Sequence, residues 1–72
     1  MKIYRFPVLI EQDEDGIYVA TVPSLKGCHS QARSLDELEK RIREAIDLCL
    51  EVEGEEVEQN TFIGVHELEI VK

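Results

Sequence analysis

Apolar and polar residues alternate over the opening of the chain: Tyr4, Phe6, Val8 and Ile10 fall on one side of an extended backbone, with Ile3, Arg5, Pro7 and Leu9 on the other. Successive side chains of a strand point to opposite faces, so this spacing predicts a first strand over residues 3–10. Pro7 has no amide hydrogen to give to a ladder, and a local irregularity is expected there. The segment Gln12-Asp13-Glu14-Asp15-Gly16 ends in an Asp-Gly turn signal. The β-branched and aromatic run Ile17-Tyr18-Val19-Ala20-Thr21-Val22 follows it. A hairpin is expected. Pro23-Ser24-Leu25-Lys26-Gly27 then breaks the ladder, and residues 28–32 read as a short third strand that returns antiparallel.

The pattern changes to a helical one at Ser34. Ser34-Leu35-Asp36-Glu37 fits a capping box, in which the serine hydroxyl receives the Glu37 amide and the Glu37 carboxylate reaches back. Leu35, Leu38, Ile42, Ala45, Ile46 and Cys49 then recur at spacings of three, four, three, one and three, forming one apolar stripe. Acid and base stand four apart in Asp36–Lys40, Glu37–Arg41 and Glu39–Arg43, the better orientation for helical ion pairs. Gly54 is the expected stop. Leu48 and Val52 lie at the margin of the stripe, where a partner, a second copy or the last strand would cover them.

Strand character returns over residues 61–71. Ile63 and Val65 are in one phase and Leu68 and Ile70 in the other, which a bulge or break near His66-Glu67 would reconcile. The expected fold class is therefore α+β, in the order β-β-β-α-β, with one helix packed on a four-stranded mixed sheet. No internal repeat divides the chain, so residues 1–72 are expected to form one domain.

With 72 residues only one small core is possible. Such a core supplies roughly 3–5 kcal/mol, and small domains commonly add a disulfide, a metal or a partner subunit. Self-association into a homo-oligomer is expected on that ground, with Leu48 and Val52 as candidate contacts. Cys28 and Cys49 are expected as free thiols in a cytoplasmic setting, because the opening residues resemble no secretory leader. No run approaches the about 20 apolar residues that span a membrane. Sixteen acids against eight bases give a net charge of −8. Phosphate contacts come from Lys and Arg, so direct nucleic-acid binding is not expected. The acids gather in Glu11, Asp13, Glu14 and Asp15, and again in Glu51, Glu53, Glu55, Glu56 and Glu58. Such clusters serve solubility, or complement a basic protein partner.

Catalytic chemistry finds little support. Cys28, His29, Cys49 and His66 lack the close spacings that clamp zinc, and no cofactor is expected. Cys28 and His29 are adjacent, so on a strand they point to opposite faces and cannot act as nucleophile and base. The order of elements matches the first part of a ribonuclease-H-like fold, yet the acids that would hold divalent metal in such a nuclease crowd instead into turns. Gly16 and Gly27 are isolated turn glycines rather than a phosphate cradle. Tyr4, Phe6, Tyr18 and Phe62 are not interleaved with bases and read as packing residues.

The stretch from Asp15 to Cys28 resembles the signature of HicB-type antitoxins, a Gly-x-aromatic-x-Ala-x-x-Pro-x-Leu-x-Gly-Cys run between an opening strand and a helix. Gly16, Tyr18, Ala20, Pro23, Leu25, Gly27 and Cys28 match it in order, followed by Ser34, Glu37, Ala45 and Ile46 in the helix. The resemblance implies a truncated ribonuclease-H-like fold without catalytic function. It also implies a partner: a small, basic, mRNA-cleaving toxin of the HicA type, whose active surface the antitoxin covers. Longer members carry a C-terminal DNA-binding domain, and none is expected here after the last strand. The first acidic turn, Glu11, Asp13, Glu14 and Asp15, is the expected partner-binding surface, with Glu44, Asp47 and Glu51 on the polar face of the helix as a second candidate. The alternative is a stand-alone oligomeric scaffold or small-ligand-binding protein of the same fold.

Overall fold

The computed structural model describes residues 3–54 and 60–72. The elements are β1 (Leu9–Gln12), β2 (Tyr18–Thr21), β3 (His29–Ala32) and α1 (Leu35–Glu53). The strands form one antiparallel sheet in the order β1-β2-β3. The α+β class is as expected; the sheet differs from the expectation in two places.

The first difference is the position of β1. The pairing runs from Leu9 opposite Thr21 to Gln12 opposite Tyr18, so the strand begins near the end of the alternating segment and runs into the turn. The chain leaves the ladder at Val22-Pro23, and β2 offers no partner to residues 3–8. Tyr4 and Phe6 still share a side, with their rings stacked at 5.9 Å. Pro7 lies in this unpaired stretch, where its missing amide costs nothing.

The second difference concerns the fourth strand. Residues 60–72 carry no strand and are exposed throughout, so among the described residues the sheet is three-stranded and antiparallel, not four-stranded and mixed. The switch of phase at His66-Glu67 gives a physical reason: no straight strand lays Ile63, Val65, Leu68 and Ile70 on one face. The acidic residues Glu55, Glu56 and Glu58 lie outside the described residues.

Local chemistry accounts for the rest. In the first turn the Asp13 amide donates to the Ile17 carbonyl at 2.9 Å and the Gly16 amide to the Asp13 carbonyl at 3.1 Å. Gly16 has φ +81°, the left-handed region that glycine enters without strain. The second turn is closed by Val22 N–H to Cys28 O at 3.0 Å, Leu25 N–H to Val22 O at 3.1 Å and Cys28 N–H to Leu25 O at 3.0 Å. These bonds turn Leu25 inward. At the helix start Ser34 Oγ accepts from the Glu37 amide at 3.2 Å. The Glu37 carboxylate does not reach back; it accepts instead from Arg41 Nη2 at 2.6 Å. Gly54, at φ 62°, ends the helix as expected, its amide donating to the Leu50 carbonyl.

The core is small. Ala20, Val22, Leu25, Cys28, Ala32, Leu38 and Ile42 are buried, and Phe6, Val8, Tyr18, Ala45, Ile46 and Cys49 pack around them. Small residues on the inner face of β2 and β3, Ala20, Ser30 and Ala32, let the helix approach closely. α1 lies chiefly over β3, less over β2, and does not reach β1. That offset decides which surfaces stay open.

Candidate partner-binding surfaces

Tyr18 stands opposite both Gln12 and Ala32, so the first turn, the end of β3 and the start of α1 share one end of the molecule. Glu11, Glu14 and Asp15 are exposed there, and Asp36 and Glu37 in the first helical turn add to the same end. Asp13 plays a different part. Its Oδ1 accepts from the amides of Asp15 and Ile17, both at 2.9 Å, and its carboxylate is thereby committed to shaping the turn. The side chains free to meet a partner are Glu11, Glu14 and Asp15.

The second acidic group lies on the exposed side of α1. Glu44, Asp47 and Glu51 follow spacings of three and four and are all exposed, which places them along one ridge. Asp47 also stands at the rim of an apolar groove. Near the helix start Arg41 pairs with Glu37 and donates to the Gln31 carbonyl at 2.9 Å, fastening α1 to β3. Arg43 pairs with Glu39 at 3.0 Å, both well exposed, a pair worth less than about 1 kcal/mol. Asp36 and Lys40 do not close.

The signature residues are distributed by structural demand. Ala20, Leu25 and Cys28 are buried and Tyr18 is half-buried, Gly16 and Gly27 have φ +81° and +75°, and Pro23 is exposed at the end of β2. Burial, reinforced by the neighbouring Cys49 thiol, pushes the Cys28 thiol from 9.0 up to about 11, so it stays protonated and is a poor nucleophile at neutral pH. Both cysteines are free. Among the described residues no group of His, Cys, Asp or Glu gathers as metal ligands, and no helix is long and apolar enough to cross a membrane.

Besides the exposed residues 60–72, two apolar surfaces of the sheet-and-helix body are uncovered among the described residues. Leu48 is 63% and Val52 87% exposed, on the flank of α1. The other is a groove of about 740 Å³ between the first residues and the helix, lined by Tyr4, Phe6, Val8 and Ile10 on one side and Ile46 and Leu50 on the other. Sequence reasoning missed the groove. Its one signal was the apolar face of residues 4–10, and its existence depends on α1 sitting over β3 rather than centrally.

The described residues form a small three-stranded antiparallel sheet under one capped helix, with exposed acidic groups at the first turn and along the helix. Comparison with known proteins narrows the class. Residues 6–69 match the family described as HicB-like antitoxin of bacterial toxin–antitoxin systems, and the chain belongs to that family. It is 58% identical to a UPF0150 protein of Archaeoglobus fulgidus over 66 residues, covering 92% of this chain and 94% of the relative. A Synechocystis UPF0150 protein is 52% identical over 68 residues, covering 94% and 97%. One from Thermotoga maritima is 33% identical over 66 residues, covering 90% and 88%.

Proposed function

We propose that this chain is an antitoxin module that binds a small, basic, mRNA-cleaving toxin of the HicA type and covers its active surface. The family match over residues 6–69 carries the reading, and the net charge of −8 supports it, because a ribonuclease surface that attracts RNA also attracts carboxylates. In this reading the protein is a cytoplasmic single domain that performs no chemistry of its own. Inhibition is steric and electrostatic. The exposed acids Glu11, Glu14 and Asp15 make the first contact, while Asp13 holds the loop that presents them, and Glu44, Asp47 and Glu51 form the second surface. The β-β-β-α order supports likeness to the opening half of a ribonuclease-H-like domain, one that would gain a fourth strand only from residues 61–71.

The test is titration of the purified chain into the basic protein encoded beside it, at low and high salt, with RNA cleavage as the readout. Glu14→Lys with Asp15→Lys should weaken the complex and flatten its salt dependence. Affinity that ignores both salt and charge reversal would remove the electrostatic part of the reading. A stand-alone oligomeric module without a toxin is the second reading, favoured by the exposed apolar residues after the helix. A neighbouring gene product that neither binds nor is toxic would select it.

A further inference from the structure

Residues 60–72 are an apolar arm without a seat: Ile63 is 90% exposed, Leu68 76%, Ile70 72% and Val71 85%. The body of the same chain carries a seat without an occupant. Because α1 does not reach β1, the inner face of β1 and of the residues before it opens into the groove lined by Phe6, Val8, Ile10 and Ile46. We infer that the arm of one copy lies in the groove of a second copy, and that the chain is an arm-exchanged dimer.

Three observations fit this occupant. The chain exposes 6498 Å², whereas a folded monomer of 8.3 kDa exposes about 4600 Å². The excess over two chains falls within the roughly 2000–5000 Å² of obligate dimer interfaces. The radius of gyration of 13.9 Å likewise exceeds the about 11 Å of a closed domain of this length.

The second observation is the edge. β1 is an outer strand, and residues 3–8 continue its line beyond the reach of β2. An extended segment can add there by strand pairing while its alternate side chains fill the groove. A bulge at His66-Glu67 would set Ile63, Val65, Leu68 and Ile70 on the groove side together.

The third observation is stoichiometry. Each chain has one arm and one groove, so reciprocal exchange about a two-fold axis uses every arm and every groove and closes the assembly at two copies. A foreign partner in the groove would leave the arms uncovered.

The experiment uses the full chain alone, so its outcome does not depend on a toxin. An equal mixture of isotope-labelled and unlabelled chain is examined by filtered NOE spectroscopy, with sedimentation equilibrium giving the mass. Contacts between the methyl groups of Ile63 and Ile70 of one chain and the rings of Tyr4 and Phe6 of another, in a dimer, are expected. Ile63→Asp with Ile70→Asp should weaken the dimer by at least about 100-fold. Both side chains are exposed within the single chain, and circular dichroism reports whether the helix survives. A monomer at millimolar concentration overturns the inference. So does a dimer that the arm substitutions leave unchanged, or arm-to-groove contacts found only within one chain.

Discussion

Leu25 is the residue whose loss should be felt most. It stands in the second turn, is 1% exposed, and belongs to one buried cluster with Val22, Cys28, Ala32 and Leu38, which brings together the turn, β3 and the helix. Three backbone hydrogen bonds of 3.0–3.1 Å hold it there, so the loop cannot readily collapse into the space its side chain would leave. Leu→Ala in such a site costs about 2–5 kcal/mol, the upper part where the surroundings do not relax. A core this small stabilises its domain by roughly 3–5 kcal/mol. Leu25→Ala should therefore abolish most of the folded population at 25 °C. The assay is urea unfolding followed by far-UV circular dichroism at one protein concentration, with Val52→Ala, 87% exposed, as the control expected to stay within about 0.5 kcal/mol of the parent. A Leu25→Ala chain within 1 kcal/mol of the parent, a bound well below the expected cost, would refute the assignment of Leu25 as the centre of the core.

Further outcomes follow from single features. Gly27 has φ +75° and open space where a Cβ would stand; Gly27→Ala should cost about 1–2 kcal/mol of backbone strain alone, with Gly27→Asn recovering part of it in the same urea titration. Ser34→Ala removes the acceptor for the Glu37 amide and should cost about 1 kcal/mol, read as a lower melting temperature with unchanged helix content. The raised Cys28 thiol gives a pH dependence of definite sign. Its folded-state value of about 11 lies above the ordinary 9.0, so the stability it confers is full below about pH 9 and is lost as pH rises through 11. At about 1.4 kcal/mol per pH unit, the parent should lose roughly 1–3 kcal/mol more than Cys28→Ala across that window. Parallel pH profiles for the two chains would contradict this.

The helix was legible because its signals are local. Ser34 caps it, the stripe from Leu38 to Cys49 packs it on the sheet while Leu35 at its start stays exposed, and Gly54 ends it, each a matter of a few neighbouring residues. The Asp-Gly turn marked the first hairpin for the same reason. The opening alternation fixed which side chains share a side, but a strand also requires a partner, and the turn at Val22-Pro23 withholds one from residues 3–8. Residues 61–71 read as a strand on the same grounds and form none among the described residues. The capping box was half right: Glu37 had two suitors, and Arg41, one turn on, took its carboxylate. Four acids in the first turn looked alike in the sequence. Only the turn's hydrogen bonds separate Asp13, which shapes the loop, from Glu11, Glu14 and Asp15, which face solvent. The groove was the least legible feature, since it follows from the sideways offset of α1, a property of packing that no short window contains.

The most direct test of the proposed function pairs this chain with the basic protein encoded beside it, the proposed toxin. The two proteins are co-expressed, the complex is captured, and cleavage of RNA is followed as purified antitoxin is added back to free toxin. The account predicts a salt-sensitive complex and complete loss of cleavage at stoichiometric antitoxin, both weakened by Glu14→Lys with Asp15→Lys. A basic neighbour that goes on cleaving RNA in the presence of excess folded chain would contradict it.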